Sequence, residues 1–150
     1  MLITSNGQAI RFEGKQVRTM GKAAYGVTGI KLDKDDKVIG LEIPSKEQSI
    51  LTISEKGYGK RSKVEDYRLT NRAGKGVINL KVTNKTGKVV ASSSITDKDS
   101  IILTTTKGMV IRTSMKQVRV MGRATQGVRI VKLQSTDKVS DVVKVSKVQD

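Results

Sequence analysis

RTMGKAAYG at residues 18–26, RLTNRAGKG at 68–76 and RVMGRATQG at 119–127 are three versions of one segment, which recurs at offsets of 50 and then 51 residues. A set of positions that keeps these offsets is called a column below. Three further columns are Gly7, Gly57 and Gly108; Arg11, Arg61 and Arg112; and Leu32, Val82 and Leu133. A fixed period of this length indicates a repeat protein. The sequence therefore predicts three repeats, at 1–49, 50–100 and 101–150, in one domain or domain fragment.

Each repeat contains four short runs that are rich in β-branched residues and bounded by turn signals, which predicts four strands. The predicted strands are 1–4, 9–12, 27–32 and 38–43; 50–53, 58–61, 77–82 and 89–93; 101–104, 110–113, 128–133 and 139–145. Four strands in about fifty residues are typical of a propeller blade. We therefore expect an all-β propeller of three four-stranded blades, with a β-sandwich as the alternative.

Propellers close with about four to eight blades, so three repeats do not complete a ring. Three arrangements follow. The chain is part of a longer domain, or two chains pair as a homodimer that closes a six-bladed ring, or three blades stand as an open arc with protected edges. The sequence does not choose among them.

The chain carries 29 Lys and Arg against 14 Asp and Glu, a formal net charge of +15, which favours polyanionic partners. The three repeats contribute +2, +6 and +7, and residues 100–136 contain no acidic residue. Aromatic residues are 3% of the chain, too few for the stacking platforms of single-strand binders, so we expect double-stranded DNA. The predicted phosphate ligands are Arg11, Arg18, Lys22, Lys60, Arg61, Lys63, Arg68, Arg72, Lys75, Arg112, Lys116, Arg119, Arg123 and Arg129.

Catalytic signals are absent from the sequence. With no Cys and no His, thiolate nucleophiles and zinc sites of the usual type are excluded. Phosphate-loop and dinucleotide-binding motifs do not occur, and we interpret Asp33, Asp35 and Asp36 as a solvated turn. We therefore expect no catalytic residue, no metal and no cofactor. No apolar run is long enough to span a membrane, which leads us to expect a cytoplasmic protein.

Four segments resemble the C-terminal domain of the A subunit of bacterial DNA gyrase: RTMGKAAYGVTGIKL (18–32), GYGKRSKVEDY (57–67), RAGKGVINLKV (72–82) and RVMGRATQGVRIVKL (119–133). Their order is similar to that of the last three blades of this six-bladed domain. The resemblance implies a β-pinwheel, in which neighbouring blades exchange a strand. It also implies a non-catalytic module that wraps duplex DNA around its outer rim, near the bacterial nucleoid, so that the ATP-driven enzyme introduces negative supercoils.

The resemblance also implies partners, namely the remainder of the A subunit, which holds the cleavage tyrosine, and the B subunit, which holds the ATPase. The family's signature heptapeptide, Gln-Arg-Arg-Gly-Gly-Lys-Gly, belongs to its first blade, and the nearest segment here, 70–76, keeps only Arg72, Gly74, Lys75 and Gly76. Binding of duplex backbone is therefore predicted, whereas wrapping by this chain alone is not. Two alternatives remain: the corresponding domain of the A subunit of topoisomerase IV, and a propeller scaffold for protein interaction.

Overall fold

The computed structural model describes residues 1–146, and its regular structure is almost entirely β. The strands are β1 (Leu2–Thr4), β2 (Gln8–Ile10), β3 (Val38–Leu41), β4 (Ser49–Ser54), β5 (Tyr58–Lys63), β6 (Val77–Ile78), β7 (Val89–Ile95), β8 (Ser100–Thr105), β9 (Val110–Ser114), β10 (Val128–Arg129) and β11 (Val139–Val145). One 3₁₀ turn follows the second strand in each repeat. These turns are η1 (Gly14–Gln16), η2 (Val64–Asp66) and η3 (Met115–Gln117). No helix among residues 1–146 has the length and apolar character needed to cross a membrane.

The strands form three antiparallel sheets, and neighbouring repeats share strands. The orders are β3-β1-β2-β6, β10-β5-β4-β7 and β11-β8-β9. The second repeat donates β6 to β2 of the first repeat, with Ala9 opposite Val77, and the third repeat donates β10 to β5, with Gly59 opposite Val128. The all-β propeller prediction is thus confirmed. The strand exchange implied by the family resemblance is present at both junctions.

The third predicted strand of each repeat differs from expectation. The predicted strands 77–82 and 128–133 shorten to two residues each, and residues 27–32 form no strand. A strand is defined by its hydrogen-bonded neighbour, and these segments pair with the preceding repeat rather than with their own. Since no repeat precedes the first among the described residues, 27–32 has no sheet to join. The third sheet, predicted with four strands, has three, because its own segment pairs with the second repeat and no later repeat among the described residues donates a strand to it.

The hydrophobic core lies between blades. Residues such as Ile3, Ile50 and Leu80 fill the junction of the first and second repeats, while Leu51 and Leu103 belong to the core between the second and third. Successive residues of β4 point to opposite faces, so this one strand contributes to both cores. The blades therefore stack face to face, and each junction is a packed interface.

One glycine column shows how closely the blades approach. Gly57 and Gly108 stand in equivalent hairpin turns with φ of +85° and +84°. A Cβ at Gly57 would lie 2.6 Å from the Val131 carbonyl oxygen of the next repeat, whereas nothing lies within 4 Å of one at Gly108. Residue 57 must therefore be glycine both because of its positive φ and because no space remains for a side chain, whereas residue 108 favours glycine because of its positive φ alone.

Candidate nucleic-acid interface

Two members of the arginine column at 11, 61 and 112 join blades together, namely Arg11 and Arg61. The Arg61 guanidinium donates to the carbonyls of Met115, at 3.0 Å, and Val118, at 3.4 Å, which are the first residue of η3 in the next repeat and the residue that follows it. Arg11 makes the equivalent bonds around η2, at 3.1 and 3.5 Å. Arg61 is 5% exposed and also pairs with Asp97 at 2.6 Å, whereas Arg112 is exposed. The arginine at this position in the first and second repeats thus has a structural role.

A second set of side chains reaches in the opposite direction, from each repeat back to the one before. Arg72 donates from Nε to the Gln16 carbonyl at 3.3 Å and from Nη1 to the Thr28 carbonyl at 2.5 Å. Arg123 makes the equivalent bonds to the carbonyls of Asp66 and Ile78. The first repeat has Lys22 in this column, and its side chain is exposed. These arginines hold the 3₁₀ turn of the preceding repeat and the segment that follows its connecting loop.

Lys60 is the most unexpected of the predicted ligands, because it is 0% exposed. Its Nζ donates to Ser62 Oγ at 2.7 Å, and that hydroxyl donates to the Met121 carbonyl at 3.0 Å. Burial, together with the nearby Arg123, lowers the pKa of Lys60 to about 7, although Asp66 opposes this shift. Lys60 therefore belongs to the interior of the second blade, out of reach of a phosphate on the surface.

The interior around Lys60 is polar in the second repeat only. Tyr67 donates its hydroxyl to Asn79 Oδ1 at 2.5 Å, and Asn79 donates to Thr52 Oγ1 at 3.0 Å. Tyr67, Asn79 and Thr52 are all 0% exposed. The first and third repeats have no polar side chain at the four equivalent positions. Thr52 corresponds to Leu2 and Leu103, Lys60 to Ile10 and Ile111, Tyr67 to Val17 and Val118, and Asn79 to Gly29 and Ile130. Desolvation raises the pKa of Tyr67, which keeps this hydroxyl a donor.

The remaining predicted ligands divide by whether the protein occupies their charged groups. Arg129 donates to the Tyr58 hydroxyl at 3.1 Å and lies over its ring, 5.6 Å from the centroid. Eight others are exposed and make no hydrogen bond or ion pair with the residues that the structure describes: Arg18, Lys22, Lys63, Arg68, Lys75, Arg112, Lys116 and Arg119. These eight side chains are free to bind an anion.

Two basic columns are exposed in all three repeats. One is Arg18, Arg68 and Arg119, which opens the connecting loops 18–26, 68–76 and 119–127. The other is Lys31, Lys81 and Lys132, which sequence reasoning left out of the site although the offsets alone identify it. The backbone N–H of Lys31 donates to Gly74, and that of Lys81 to Thr125, inside the connecting loop of the next repeat. Lys31 and Lys81 therefore lie beside the loops that Arg68 and Arg119 open.

The acidic residues of the described region form no cluster suited to a metal ion, and some of them accept hydrogen bonds within turns. The Asp36 carboxylate accepts bonds from Ser5 Oγ and from the N–H groups of Asn6 and Lys37, which closes a hairpin turn. Partial burial raises the pKa of Asp36, but these hydrogen bonds, with one from Thr4, bring it below its usual value. The cluster at 33–36 is thus a turn, as interpreted from the sequence.

Three antiparallel sheets stacked face to face, with strands donated between consecutive repeats, define a propeller-type domain. The model of the family described as DNA gyrase C-terminal domain, beta-propeller, matches residues 1–45, 48–96 and 99–146. The chain belongs to this family. The family model thus matches three consecutive segments of the chain.

Two similar proteins support the family assignment. The chain is 45% identical to the A subunit of DNA gyrase from Chlamydia pneumoniae over 147 residues, which cover 97% of this chain and 18% of that protein. It is 41% identical to the corresponding A subunit of Salmonella typhimurium, covering 100% of this chain and 17% of that one. The chain thus spans less than a fifth of the gyrase subunits that it matches.

Two solved structures show the same fold. The C-terminal domain of DNA topoisomerase IV matches with a TM-score of 0.90 and 27% identity, over 97% of this chain and 46% of that one. A DNA gyrase A C-terminal domain matches with a TM-score of 0.83 and 26% identity, over 95% of this chain and 49% of that one. The names of the sequence relatives favour the gyrase branch, and the chain spans about half of each solved domain.

Proposed function

We propose that this chain binds the backbone of double-stranded DNA without reading its sequence, as a non-catalytic part of a gyrase A subunit, and thereby supports negative supercoiling. The single observation that carries the proposal is the pair of exposed basic columns, 18/68/119 and 31/81/132, whose charged groups have no partner in the described region. The rest of the A subunit, together with the B subunit, would supply cleavage and ATP hydrolysis, in the bacterial cytoplasm at the nucleoid.

Phosphates are the ligand that best suits these columns. Exposed Arg and Lys contact the DNA backbone without distinguishing bases, and they are the usual source of sequence-independent affinity. Repetition at blade spacing presents such contacts at intervals, so a duplex that bends along them reaches more phosphates at the expense of elastic energy. The junction arginines add rigidity, because they hold the blades that carry the columns.

The salt dependence of duplex affinity tests this proposal. We expect log K to fall linearly with log[salt], with a slope of about 0.9 for each phosphate contact, and to be alike for unrelated duplex sequences. Replacing Arg18, Arg68 and Arg119 together with Ala should weaken binding and reduce the slope by roughly 2.7, because three contacts are lost. An unchanged slope would exclude this column from the interface.

A matched control separates local contacts from net charge. Lys46, Lys88 and Lys98 are exposed lysines outside both columns, so their joint replacement with Ala removes the same charge. We expect this variant to keep the wild-type slope. If the two triple variants lose affinity equally, binding depends on the overall field and the assignment of the columns is refuted.

Wrapping is a separate property and needs its own measurement. Nicked circular DNA is ligated with the chain bound, the protein is removed, and the linking number is compared with that of DNA ligated alone. A linking-number shift that increases with protein and disappears in the Arg18/Arg68/Arg119 variant supports wrapping. Affinity without any shift would restrict the function of this chain to binding.

The structural match to a topoisomerase IV domain favours one alternative function, in which the module selects DNA geometry rather than driving supercoiling. The two differ in the whole enzyme. When it is joined to the remaining parts of the enzyme and supplied with ATP, the gyrase-type module should produce negative supercoils from relaxed circles, whereas relaxation without supercoiling would favour the alternative.

A further inference from the structure

The second connecting loop, residues 68–76, is held by a neutral side chain of the first repeat. Gln16 is the last residue of η1, and its Oε1 accepts the backbone N–H of Arg72 at 2.7 Å. Its Nε2 donates to Asn71 Oδ1 at 3.3 Å. One amide group therefore fixes two consecutive residues in the middle of the loop, across the blade junction.

The backbone that follows these two residues is anchored to the first repeat as well. The N–H of Ala73 donates to the Gly29 carbonyl at 2.9 Å. The Gly74 carbonyl accepts the N–H of Lys31 at 2.8 Å. Ala73 has a φ of +69°, which is uncommon for a residue with a side chain and persists only where surrounding contacts determine it. The preceding repeat thus imposes the conformation of residues 71–74.

The third connecting loop is not held in this way by the described residues. Asp66 occupies the position of Gln16 there, and its carboxylate accepts no hydrogen bond from the part of the chain that the structure describes. Asn71 is replaced by Gly122, which has no side-chain amide. Ala124, at the position of Ala73, has no positive φ. The amide anchor therefore belongs to one loop and not to the repeat in general.

The anchored loop carries an exposed lysine that the other two loops lack. Lys75 corresponds to Tyr25 in the first repeat and to Gln126 in the third. It stands between Gly74 and Gly76, and glycine allows the backbone more conformations than any other residue. A lysine in this setting points in a fixed direction only if the preceding residues are held.

We propose that Gln16 is a positioning residue for duplex DNA, which fixes residues 71–74 so that Lys75 lies ready to bind a phosphate beside Lys31. The inference rests on the proposed function, because it specifies how one loop of that surface binds the DNA backbone. Ordering a flexible side chain costs free energy on binding, so a loop that is already fixed binds more tightly. Gln16 carries no charge and therefore acts through the loop.

Replacing Gln16 with Ala removes the anchor without changing the net charge. The carbonyl of residue 16, which Arg72 Nε binds at 3.3 Å, remains, so this junction contact is kept. We expect duplex affinity to decrease by about 3- to 10-fold. Gln126→Ala is the control, because it also removes a hydrogen bond between repeats, to Thr83 Oγ1 at 3.3 Å. It should change affinity by less than about twofold, and equal losses in the two variants would overturn the proposal.

A double-mutant cycle with Lys75→Ala tests whether Gln16 acts through Lys75. In the Lys75→Ala background, Gln16→Ala should have little further effect on affinity, because the side chain that it positions is absent. A general loss of stability would weaken binding by the same factor in both backgrounds. That result would overturn the positioning role.

Hydrogen exchange at the Ala73 N–H measures the loop without DNA. This group keeps its acceptor, the Gly29 carbonyl, when Gln16 is replaced, so its exchange accelerates only if the loop opens more often. We expect faster exchange in Gln16→Ala than in the wild-type protein. Unchanged exchange would show that the loop stays fixed without the amide, which overturns the proposal.

The wild-type protein distinguishes failure of this inference from failure of the proposed function. If the wild type binds duplex DNA with the expected salt slope and Gln16→Ala binds equally well, the positioning role is refuted and the proposed function stands. If the wild type shows no salt-dependent binding, the proposed function is refuted, and the role of Gln16 with it.

Discussion

Replacing Lys60 with Met should stabilise the protein and remove a specific pH dependence. The side chain is fully buried, and its ammonium group has one hydrogen-bond partner in the described region, Ser62. Methionine has a similar length and no charge, so it fills the same space without requiring desolvation of an ion. Ser62 keeps its bond to the Met121 carbonyl, so the substitution does not leave that hydroxyl without a partner.

The size of the effect follows from the pKa of Lys60. A decrease from 10.5 to about 7 corresponds to about 4–5 kcal/mol, at about 1.4 kcal/mol for each pH unit. Between these two values the unfolded chain binds the proton and the folded chain does not, so stability increases with pH. Below pH 7 both states are protonated and the full penalty applies. Allowing about 1 kcal/mol for the lost hydrogen bond, we expect Lys60→Met to gain about 3 kcal/mol at pH 7.

Urea unfolding at several pH values measures this dependence. The wild-type free energy of unfolding should increase by roughly 2 kcal/mol between pH 7 and pH 9, and that of Lys60→Met should lack this increase. The absence of His and Cys leaves few other groups that titrate in this range. One is the amino group of Met1, whose pKa burial lowers, and it is common to both proteins. Lys63→Met, an exposed change on the same strand, is the control. Parallel curves for wild type and Lys60→Met would refute the reasoning.

Two further predictions compare substitutions at positions that are equivalent in sequence but differ in environment. Gly57→Ala should cost about 3 kcal/mol of unfolding free energy, because it adds a steric clash to the strain at positive φ, and Gly108→Ala should cost about 1. Equal losses would show that the blade junction does not constrain Gly57. Arg61→Lys should cost about 1–3 kcal/mol, since an ammonium group cannot reproduce the guanidinium's bonds to two carbonyls, while Arg112→Lys should be neutral. A stable Arg61→Lys protein would show that this contact is dispensable.

Much of the fold could be predicted because the sequence repeat marks both the turns and the strands. The offsets of 50 and 51 residues identify equivalent turns, and alternating apolar residues between those turns identify strands. The local sequence of a strand does not determine which sheet it joins. Nothing in the pattern of residues 77–78 indicates that they pair with the preceding repeat and not with their own. Only the family resemblance implied that exchange.

The site could be predicted less well, for a physical reason. A repeated arginine looks the same in sequence whether it binds a carbonyl of the next blade, as Arg61 does, or extends into solvent, as Arg68 does. Arginines of both kinds recur at blade spacing, so the repeat period does not distinguish a junction arginine from a surface arginine. Lys60 is harder still, because lysine is rarely buried without a charged partner and the other repeats have isoleucine there.

Comparing the environment of one column across the three repeats distinguishes residues that join blades from residues that face solvent. A junction residue is covered wherever a neighbouring blade exists and exposed at the end where none does, as Arg61 and Arg112 are. A residue that serves the surface is exposed in every repeat, whatever its neighbours. By this criterion the columns at 11/61/112 and 22/72/123 belong to the junctions, and the columns at 18/68/119 and 31/81/132 belong to the surface. The net charge of +15 therefore overstates the charge that the blades present to solvent, because part of it links the blades to one another.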